Sequence, residues 1–184
     1  MARPAQIIWR RLDRPGHDTC ALWREGELWR LEGVAVWSDL KGPAHMSYSI
    51  TCGADWFPRS ARVQGRVAEQ DISLSIRRAN GGEWRANGEA LPETFGLSDL
   101  DLGFTPATNT LPLRRLAGKG HGDSAALWLD DSDWQMKPLH QTYQRCESGR
   151  WDYHSHESDY RTTLAVNSDG FVSDYPDLWV AEVH

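Results

Sequence analysis

The sequence predicts an all-β protein folded as a sandwich or a barrel-like sheet. Short segments in which apolar and polar residues alternate recur along the whole chain, and turn-forming residues separate them. Alternation with a period of two is typical of strands, because successive side chains point to opposite faces. No segment shows helical periodicity over three turns, so we expect few and short helices.

Hairpins organise the first half of the chain. Glu25-Gly26 separates one pair of predicted strands, and Glu69-Gln70 separates another. Gly33 follows one of these strands, and a bulge or bend is expected there. The strands predicted in this half are residues 6–12, 19–24, 27–32, 45–52, 61–68, 71–78 and 83–87.

The second half continues the pattern around a glycine-rich stretch. Residues 116–123 (LAGKGHGD) are expected to form a mobile loop, because glycine and short polar residues interrupt the alternation. The stretch lacks the spacing of a phosphate-binding loop. Strands are predicted at residues 125–129, 137–144, 150–155, 160–166, 171–175 and 178–183.

Residues 97–116 (LSDLDLGFTPATNTLPLRRL) carry the most polar groups with a fixed direction. Asp99 and Asp101 alternate with Leu100 and Leu102, which predicts a strand with one acidic and one apolar face. Two residues along a strand span about 6.6 Å, and glycosidase carboxylates lie about 5 to 9.5 Å apart. These two carboxylates project in parallel, however, whereas those of a glycosidase flank the bond from opposite sides.

Two neighbouring cations offer another role for these aspartates. Arg114 and Arg115 close the segment, and a partly buried carboxylate needs such a partner. We therefore expect Asp99 and Asp101 to pair with Arg114, Arg115 or another arginine on the inner face of the sheet. Together these four side chains are also candidates for hydrogen-bonding a polar head group.

Hydroxyl and amide side chains follow the aspartates. Thr105, Thr108 and Asn109 both donate and accept hydrogen bonds, so they suit sugar hydroxyls, although local turn chemistry uses the same groups. Pro106 and Pro112 remove backbone donors, so this part is predicted to be an edge or a crossover rather than a central strand.

Aromatic and amide side chains elsewhere extend the candidate ligand site. Trp56 near Arg59 suits stacking on a sugar face or an acyl chain, although packing is the simpler explanation. Inward-facing amide and phenol groups would make a cavity polar enough for a head group, while leucines and tryptophans would suit a lipid tail. The residues selected for this reason are Gln141, Tyr143, Tyr153 and Tyr175.

Composition restricts the partners. The chain has 184 residues, which is the size of one domain covering residues 1–184, and its formal net charge is −6. This charge argues against nucleic acid and against an anionic membrane surface. Ten tryptophans are present, and most of them are expected to fill the inside of a curved sheet.

Metal, cofactor and targeting signals are weak. Cys20, Cys52 and Cys146 form no CxxC motif and are expected to be reduced, although one pair could form a bridge. His154 and His156 share a face of a strand but lie in a polar run without a third ligand, so neither a metal nor a cofactor is predicted. The chain start shows no signal peptide, and no stretch approaches the ~20 apolar residues of a membrane span, so a cytoplasmic protein is expected.

Five blocks of the sequence resemble a known bacterial family. DLDLGFTPATNTLPLRRL, DGFVSDYPDLW, GADWFPRSARV, EWRANGE and QTYQRCESGRWDYHS are similar to the family described as "putative glycolipid-binding", a former domain of unknown function. The resemblance covers nearly the whole chain. It implies a large, strongly bent antiparallel sheet that forms an open or partial barrel, similar to the folds that carry lipoproteins and lipids between bacterial membranes.

Three functional hypotheses follow. The first is a binding protein that holds a glycolipid or another small amphipathic molecule in the concave face of the sheet. The second is a hydrolase of a sugar or lipid ester that uses Asp99 or Asp101 as acid or base. The third is a non-catalytic module that dimerises through a sheet edge. The sequence leaves the oligomeric state open.

Overall fold

The computed structural model describes residues 4–182 and confirms the predicted all-β class. Within this range, fifteen strands form one bent sheet that does not close into a barrel. The predicted end of the last strand, at Val183, lies outside the described residues. In chain order the strands are β1 (Ala5–Arg11), β2 (Gly16–Glu25), β3 (Leu28–Asp39), β4 (Gly42–Cys52), β5 (Pro58–Val67), β6 (Gln70–Arg78), β7 (Trp84–Ala86), β8 (Glu89–Ala90), β9 (Asp99–Leu102), β10 (His121–Asp130), β11 (Gln135–Arg145), β12 (Trp151–Ser155), β13 (Tyr160–Val166), β14 (Val172–Tyr175) and β15 (Trp179–Ala181).

The sheet consists of two meanders joined by the first and last strands. Strands β8 to β1 follow one another across one half, β15 to β9 follow one another across the other, and β1 pairs with β15 in the middle. The two edge strands are short, since β8 has two residues and β9 has four, so each offers few backbone groups to a partner strand.

One strand pair departs from the predicted antiparallel arrangement. β9 and β10 are parallel, with Asp101 opposite Trp128, while the other neighbouring pairs between residues 4 and 182 are antiparallel. Parallel neighbours need a crossover that returns the chain to the same end of the sheet. Residues 103–120 supply it. The expectation of a crossover in this segment is therefore confirmed, although the chain crosses over as helix.

The crossover contains a 3₁₀ helix, Pro106–Asn109, followed directly by helix α1, Thr110–Leu116. The 3₁₀ helix begins at Pro106, and Pro112 lies in the first turn of α1, where a missing backbone donor costs nothing. Both prolines thus exclude a central strand, as predicted, and also favour helix starts. Helix α1 could not be recognised from the sequence, because five of its seven residues are buried and no polar stripe with helical period remains.

The crossover lies between the two halves of the sheet. Thr105 is hydrogen-bonded to Asp18 of β2 and to Tyr48 of β4, while Asn109 donates to Tyr143 of β11 at 2.9 Å. All four residues of the 3₁₀ helix are buried. The concave face is therefore largely filled by the chain's own segment, and only part of it remains open.

Aromatic side chains pack around this segment. Phe104 is fully buried and lies 6.0 Å from Trp37 and 5.9 Å from Trp134, measured between ring centroids. Most of the tryptophans lie in the core, as predicted; the buried ones are Trp9, Trp37, Trp84, Trp134, Trp151 and Trp179. The three cysteines are free, and Cys20 and Cys52 are buried among these core residues.

Two local predictions are correct only in part or need correction. The register of β3 runs through Gly33 without a shift, so there is no bulge at this residue. Half of the stretch 116–123 is a loop, residues 117–120, because α1 ends at Leu116 and β10 begins at His121 and pairs along β11. Pairing with a long neighbouring strand outweighs the low strand propensity of the glycine-rich sequence.

Gly33 instead makes room for a side chain that crosses it. A Cβ atom on Gly33 would lie 2.2 Å from both Cζ and Oη of Tyr48. The ring of Tyr48 therefore passes directly over this residue, and its hydroxyl donates to Asp18 at 3.0 Å.

Substitution of Gly33 by alanine is expected to destabilise the protein by about 2 kcal/mol or more, because the added methyl group displaces the Tyr48 ring from a packed core. Urea denaturation would measure the change. The control is Gly81→Ala, where a Cβ atom would meet nothing within 4 Å. Equal stabilities for the two variants would contradict this explanation of Gly33.

Candidate functional site

A cavity of about 360 Å³ opens between the 3₁₀ helix and the half of the sheet that contains β9 to β14. The crossover forms one wall, and the inward faces of the strands form the others. Its lining residues are Asp101, Gly103, Thr105, Asn109, Trp128, Asp131, Leu139, Tyr153, Ser155, Glu157, Ser158, Tyr160, Tyr175 and Leu178. Five residues selected from the sequence are among them: Asp101, Thr105, Asn109, Tyr153 and Tyr175.

Asp101 presents a carboxylate to this cavity without a cation. Its Oδ2 accepts from Gln141 Nε2 at 2.8 Å, and Thr108 lies 3.5 Å from Oδ1. No ion pair joins Asp101 to a cation anywhere in the described chain, so the predicted pairing with arginine is wrong for this residue. Burial raises the pKa of Asp101 to about 6, and the nearby carboxylates of Asp131 and Asp99 act in the same direction.

A chain of amide and phenol groups supports this carboxylate. Gln141 Nε2 also donates to Tyr153 Oη at 2.9 Å, and Tyr143 Oη lies 3.4 Å from Gln141 Oε1. Asn109 completes the chain through its bond to Tyr143. Gln141 and Tyr143 thus lie behind the cavity and fix the groups that line it.

A second buried carboxyl group, Asp18, lies behind Thr105. Burial raises its pKa to about 7, although hydrogen bonds from Thr105 and Tyr48 oppose the shift. The sequence prediction missed Asp18, which precedes the predicted strand 19–24 by one residue. Its signal was available, because Asp18 alternates in phase with Cys20 and Leu22, whose side chains face the core.

Asp99 is paired with arginine, as predicted. Arg115 Nη1 lies 2.8 Å from Asp99 Oδ1, and Arg115 Nη2 and Ser124 Oγ both donate to Oδ2. The guanidinium of Arg115 also lies 4.2 Å from the ring centroid of Phe57. Asp99 and Arg115 are therefore held by each other, away from the cavity lining.

The remaining selected residues lie in two other places. Arg114 lies over two stacked rings, 5.6 Å from the centroid of Trp29 and 4.7 Å from that of Trp56. Burial lowers the pKa of Arg114. Arg59 lines a different groove, together with Arg77 and Arg78. A ligand role for Asp99, Arg114, Arg115, Trp56 and Arg59 stays a prediction, and the structure does not bring these residues to the cavity.

Several lining residues escaped the sequence prediction. Asp131 lies in the turn after β10, and Glu157 and Ser158 lie in the turn after β12, where polar residues signal nothing unusual. Trp128 had a detectable signal, since it alternates with Leu127 and Leu129 on a strand.

The histidine pair is engaged by neighbouring side chains. The rings of His154 and His156 lie 4.2 Å apart, and their Nε2 atoms lie 2.8 Å from Asp159 and 2.8 Å from Thr142, respectively. Between residues 4 and 182, no group of three or more metal-ligating side chains is clustered. None of the helical segments in this range has the length and apolar character needed to cross a bilayer.

Comparison with known proteins identifies the family. A family model described as "Putative glycolipid-binding" matches residues 6–181. The chain belongs to this family. The resemblance found in the sequence motifs is thereby confirmed, and the bent sheet described above is the fold of a member of this family.

Two solved structures are similar to this family member. A DUF1089 family protein from Pseudomonas aeruginosa shares 30% identity over 89% of this chain and 91% of its own, with a TM-score of 0.73. A β-barrel-like protein of the DUF1849 family from Brucella abortus shares 13% identity over 97% and 94% of the two chains, with a TM-score of 0.52, and shows the fold alone. No curated protein matches the chain.

The raised pKa of Asp18 predicts a pH dependence of stability. Between the ordinary aspartate pKa and about 7, folded Asp18 keeps a proton that the unfolded chain loses, so the free energy of unfolding falls as pH rises. Asp18→Asn should remove this fall, which amounts to at most about 4 kcal/mol. Urea denaturation between about pH 4 and 8 measures it. The exposed control Asp152→Asn should keep the wild-type slope, and an unchanged slope in Asp18→Asn would refute this assignment.

Breaking the buried Asp99–Arg115 ion pair should cost more stability than breaking an exposed ion pair. Arg115→Met leaves a carboxylate only 2% exposed without its cation, and should cost about 3 kcal/mol. Adding Asp99→Asn to that variant should recover part of the loss. Arg66→Met breaks an ion pair whose partners are 51% and 71% exposed, and should cost less than about 1 kcal/mol. Thermal and urea unfolding would measure the stability of the three variants. A loss of stability in Arg66→Met as large as that in Arg115→Met would contradict the prediction.

Proposed function

We propose that this protein binds a small amphipathic ligand of the glycolipid class, with the polar head group in the cavity beside Asp101. The observation that carries the proposal is the cavity itself, in which an unpaired carboxylate lies among aromatic side chains inside the bent sheet. Membership in a family described as glycolipid-binding supports the same class of ligand.

The size of the cavity supports binding by the head group. At about 360 Å³ it is near the lower end of ligand pockets, which span about 300 to 1,000 Å³. That volume holds a sugar unit but not two long acyl chains. The crossover occupies the rest of the concave face, so the tail of the ligand would leave through the mouth of the cavity.

The lining chemistry supports a sugar. Tyr153, Tyr160 and Tyr175 form one cluster, with ring centroids 5.8 to 6.5 Å apart. Aromatic faces stack on the C–H surfaces of a sugar, while carboxylates, amides and hydroxyls bond its hydroxyl groups. Asn109 supplies such a group at the wall formed by the crossover, and Asp101 supplies one from β9.

A hydrolase is the second candidate, and one observation favours it. Burial raises the pKa of Asp101 to about 6. This value is closer than an ordinary aspartate pKa to the pKa that suits a general acid or base near neutral pH. Asp99 is unsuited to this role because both of its oxygens accept hydrogen bonds from Arg115 and Ser124. Release of product from glycosides and lipid esters, abolished by Asp101→Asn in a folded variant, would support hydrolysis over binding.

A methyl group added at Gly103 should block head-group binding. Its Cβ atom would lie 2.9 Å from both Asp131 Oδ1 and Trp128 Nε1 and would occupy the cavity wall. We expect alkyl glycosides and a glycosyl diacylglycerol to bind the wild type in native mass spectrometry, and Gly103→Ala to bind them at least about tenfold more weakly.

The control for this experiment is Gly118→Ala, where an added Cβ atom would meet nothing within 4 Å. Both variants should unfold cooperatively. If Gly103→Ala binds the glycosides as tightly as Gly118→Ala does, the ligand does not bind in this cavity.

A further inference from the structure

The charges that line the cavity have one sign. Asp101, Asp131 and Glu157 all contribute to its surface, and no lysine or arginine does so among the described residues. Burial raises the pKa of Asp131, although the charges of Arg11 and Arg14 act in the opposite direction. The cavity is therefore a site of negative potential inside the bent sheet.

The cations nearest to these acids are occupied elsewhere. Lys137 lies 5.7 Å from the ring centroid of Trp128, but its ammonium group donates to Asp130 at 2.6 Å and to Asp133 at 2.7 Å. Its charge is thus matched by two carboxylates that do not line the cavity.

The arginines that face Asp131 are engaged in the same way. Arg11 and Arg14 both lie close enough to lower its pKa. However, Arg11 donates two hydrogen bonds to Asp13, and Arg14 is paired with Asp13 and Asp39. Neither guanidinium lines the cavity, although Nη1 of Arg11 is buried without a hydrogen-bond partner.

Glu157 has a histidine partner rather than a permanent cation. Its carboxylate accepts from the backbone N–H of His140 and lies 2.7 Å from Nδ1 of the same residue. The imidazole is 58% exposed at its side chain, so it faces solvent and does not line the cavity.

Gly103 exposes a pair of groups suited to a hydroxyl. Asp131 Oδ1 and Trp128 Nε1 each lie 2.9 Å from the position that a Cβ atom on Gly103 would take. No side-chain hydrogen bond joins either atom to another described residue. A carboxylate oxygen accepts and an indole N–H donates, so together they match a hydroxyl, which does both. A phosphate or sulfate oxygen only accepts, and it carries the same charge as the three acids.

We infer that the cavity selects an uncharged or cationic sugar head group, a hexose or an amino sugar, and rejects phosphorylated and sulfated ones, with Asp131 and Trp128 as specificity-determining residues. This inference rests on the proposed function, because it assigns the class of head group to the same cavity. It also separates the two features that a glycolipid site needs: the tyrosine cluster recognises sugar rings in general, and the acids choose among them.

A series of amphiphiles with one alkyl chain and different head groups tests the inference. Isothermal titration calorimetry would compare an alkyl glucoside, the matching glucosaminide and the matching glucoside 6-phosphate, below their micelle concentrations. We expect the first two to bind the wild type at least about tenfold more tightly than the phosphate. Asp131→Asn should reduce the ratio of the affinity for the glucoside to the affinity for the glucoside 6-phosphate. Asp71→Asn removes an exposed charge far from the cavity and should leave this ratio unchanged.

The outcomes distinguish the inference from the proposed function. If the phosphate binds as tightly as the glucoside, or if Asp131→Asn and Asp71→Asn give the same ratio, the inference is wrong while the proposed function stands. If none of the three amphiphiles binds the wild type, both are wrong. Trp128→Phe supplies a second variant. It should bind the glucoside more weakly than the wild type does, while its melting temperature stays near that of the wild type.

Discussion

The structure depends on the polar contacts that one crossover makes with both halves of a bent sheet. Thr105 is bonded to Asp18 and Tyr48 on one side, and Asn109 is bonded to Tyr143 on the other. An open sheet of this size would otherwise leave an apolar concave face exposed to water. The crossover covers that face, and its hydrogen bonds fix where it lies, because an unpaired polar group at the same depth would cost about 1–3 kcal/mol.

The same contacts explain why a cavity remains. The crossover is short, with four residues of 3₁₀ helix and seven of α-helix, so it fills only part of the concave face. Its buried polar side chains point toward the strands, and Asp101 extends the polar surface onto β9. The candidate site is thus a consequence of how the sheet is filled, and it requires no separate domain or loop.

Much of the fold was predictable from the sequence, because strand alternation is a local property. Strands β5 and β6 carry it clearly, and the pairing of Asp99 with arginine followed from the cost of burying a charge. Helix α1 was missed because its residues are buried on most sides. The parallel pair β9–β10 was missed because it depends on where the crossover returns, which no short window of sequence records.

The candidate site was predictable only in part, for a related reason. Asp101, Asn109 and Tyr153 stand out as polar or amphipathic residues at inward positions of an apolar pattern. Asp131 and Glu157 stand in turns, where acidic residues are ordinary, and only the folding of the sheet brings them to the same cavity. Trp56 and Arg59 suggested a binding platform, yet they lie with a different set of arginines and aromatic rings.

The measurement that tests the central claim most directly is a crystal structure of the protein with a bound alkyl glucoside. The cavity account predicts electron density for the sugar ring beside Asp101, Trp128 and Tyr175, with the alkyl chain leading out of the mouth. Density for the sugar in the groove of Arg59, Arg77 and Arg78, with the cavity beside Asp101 empty, would contradict it.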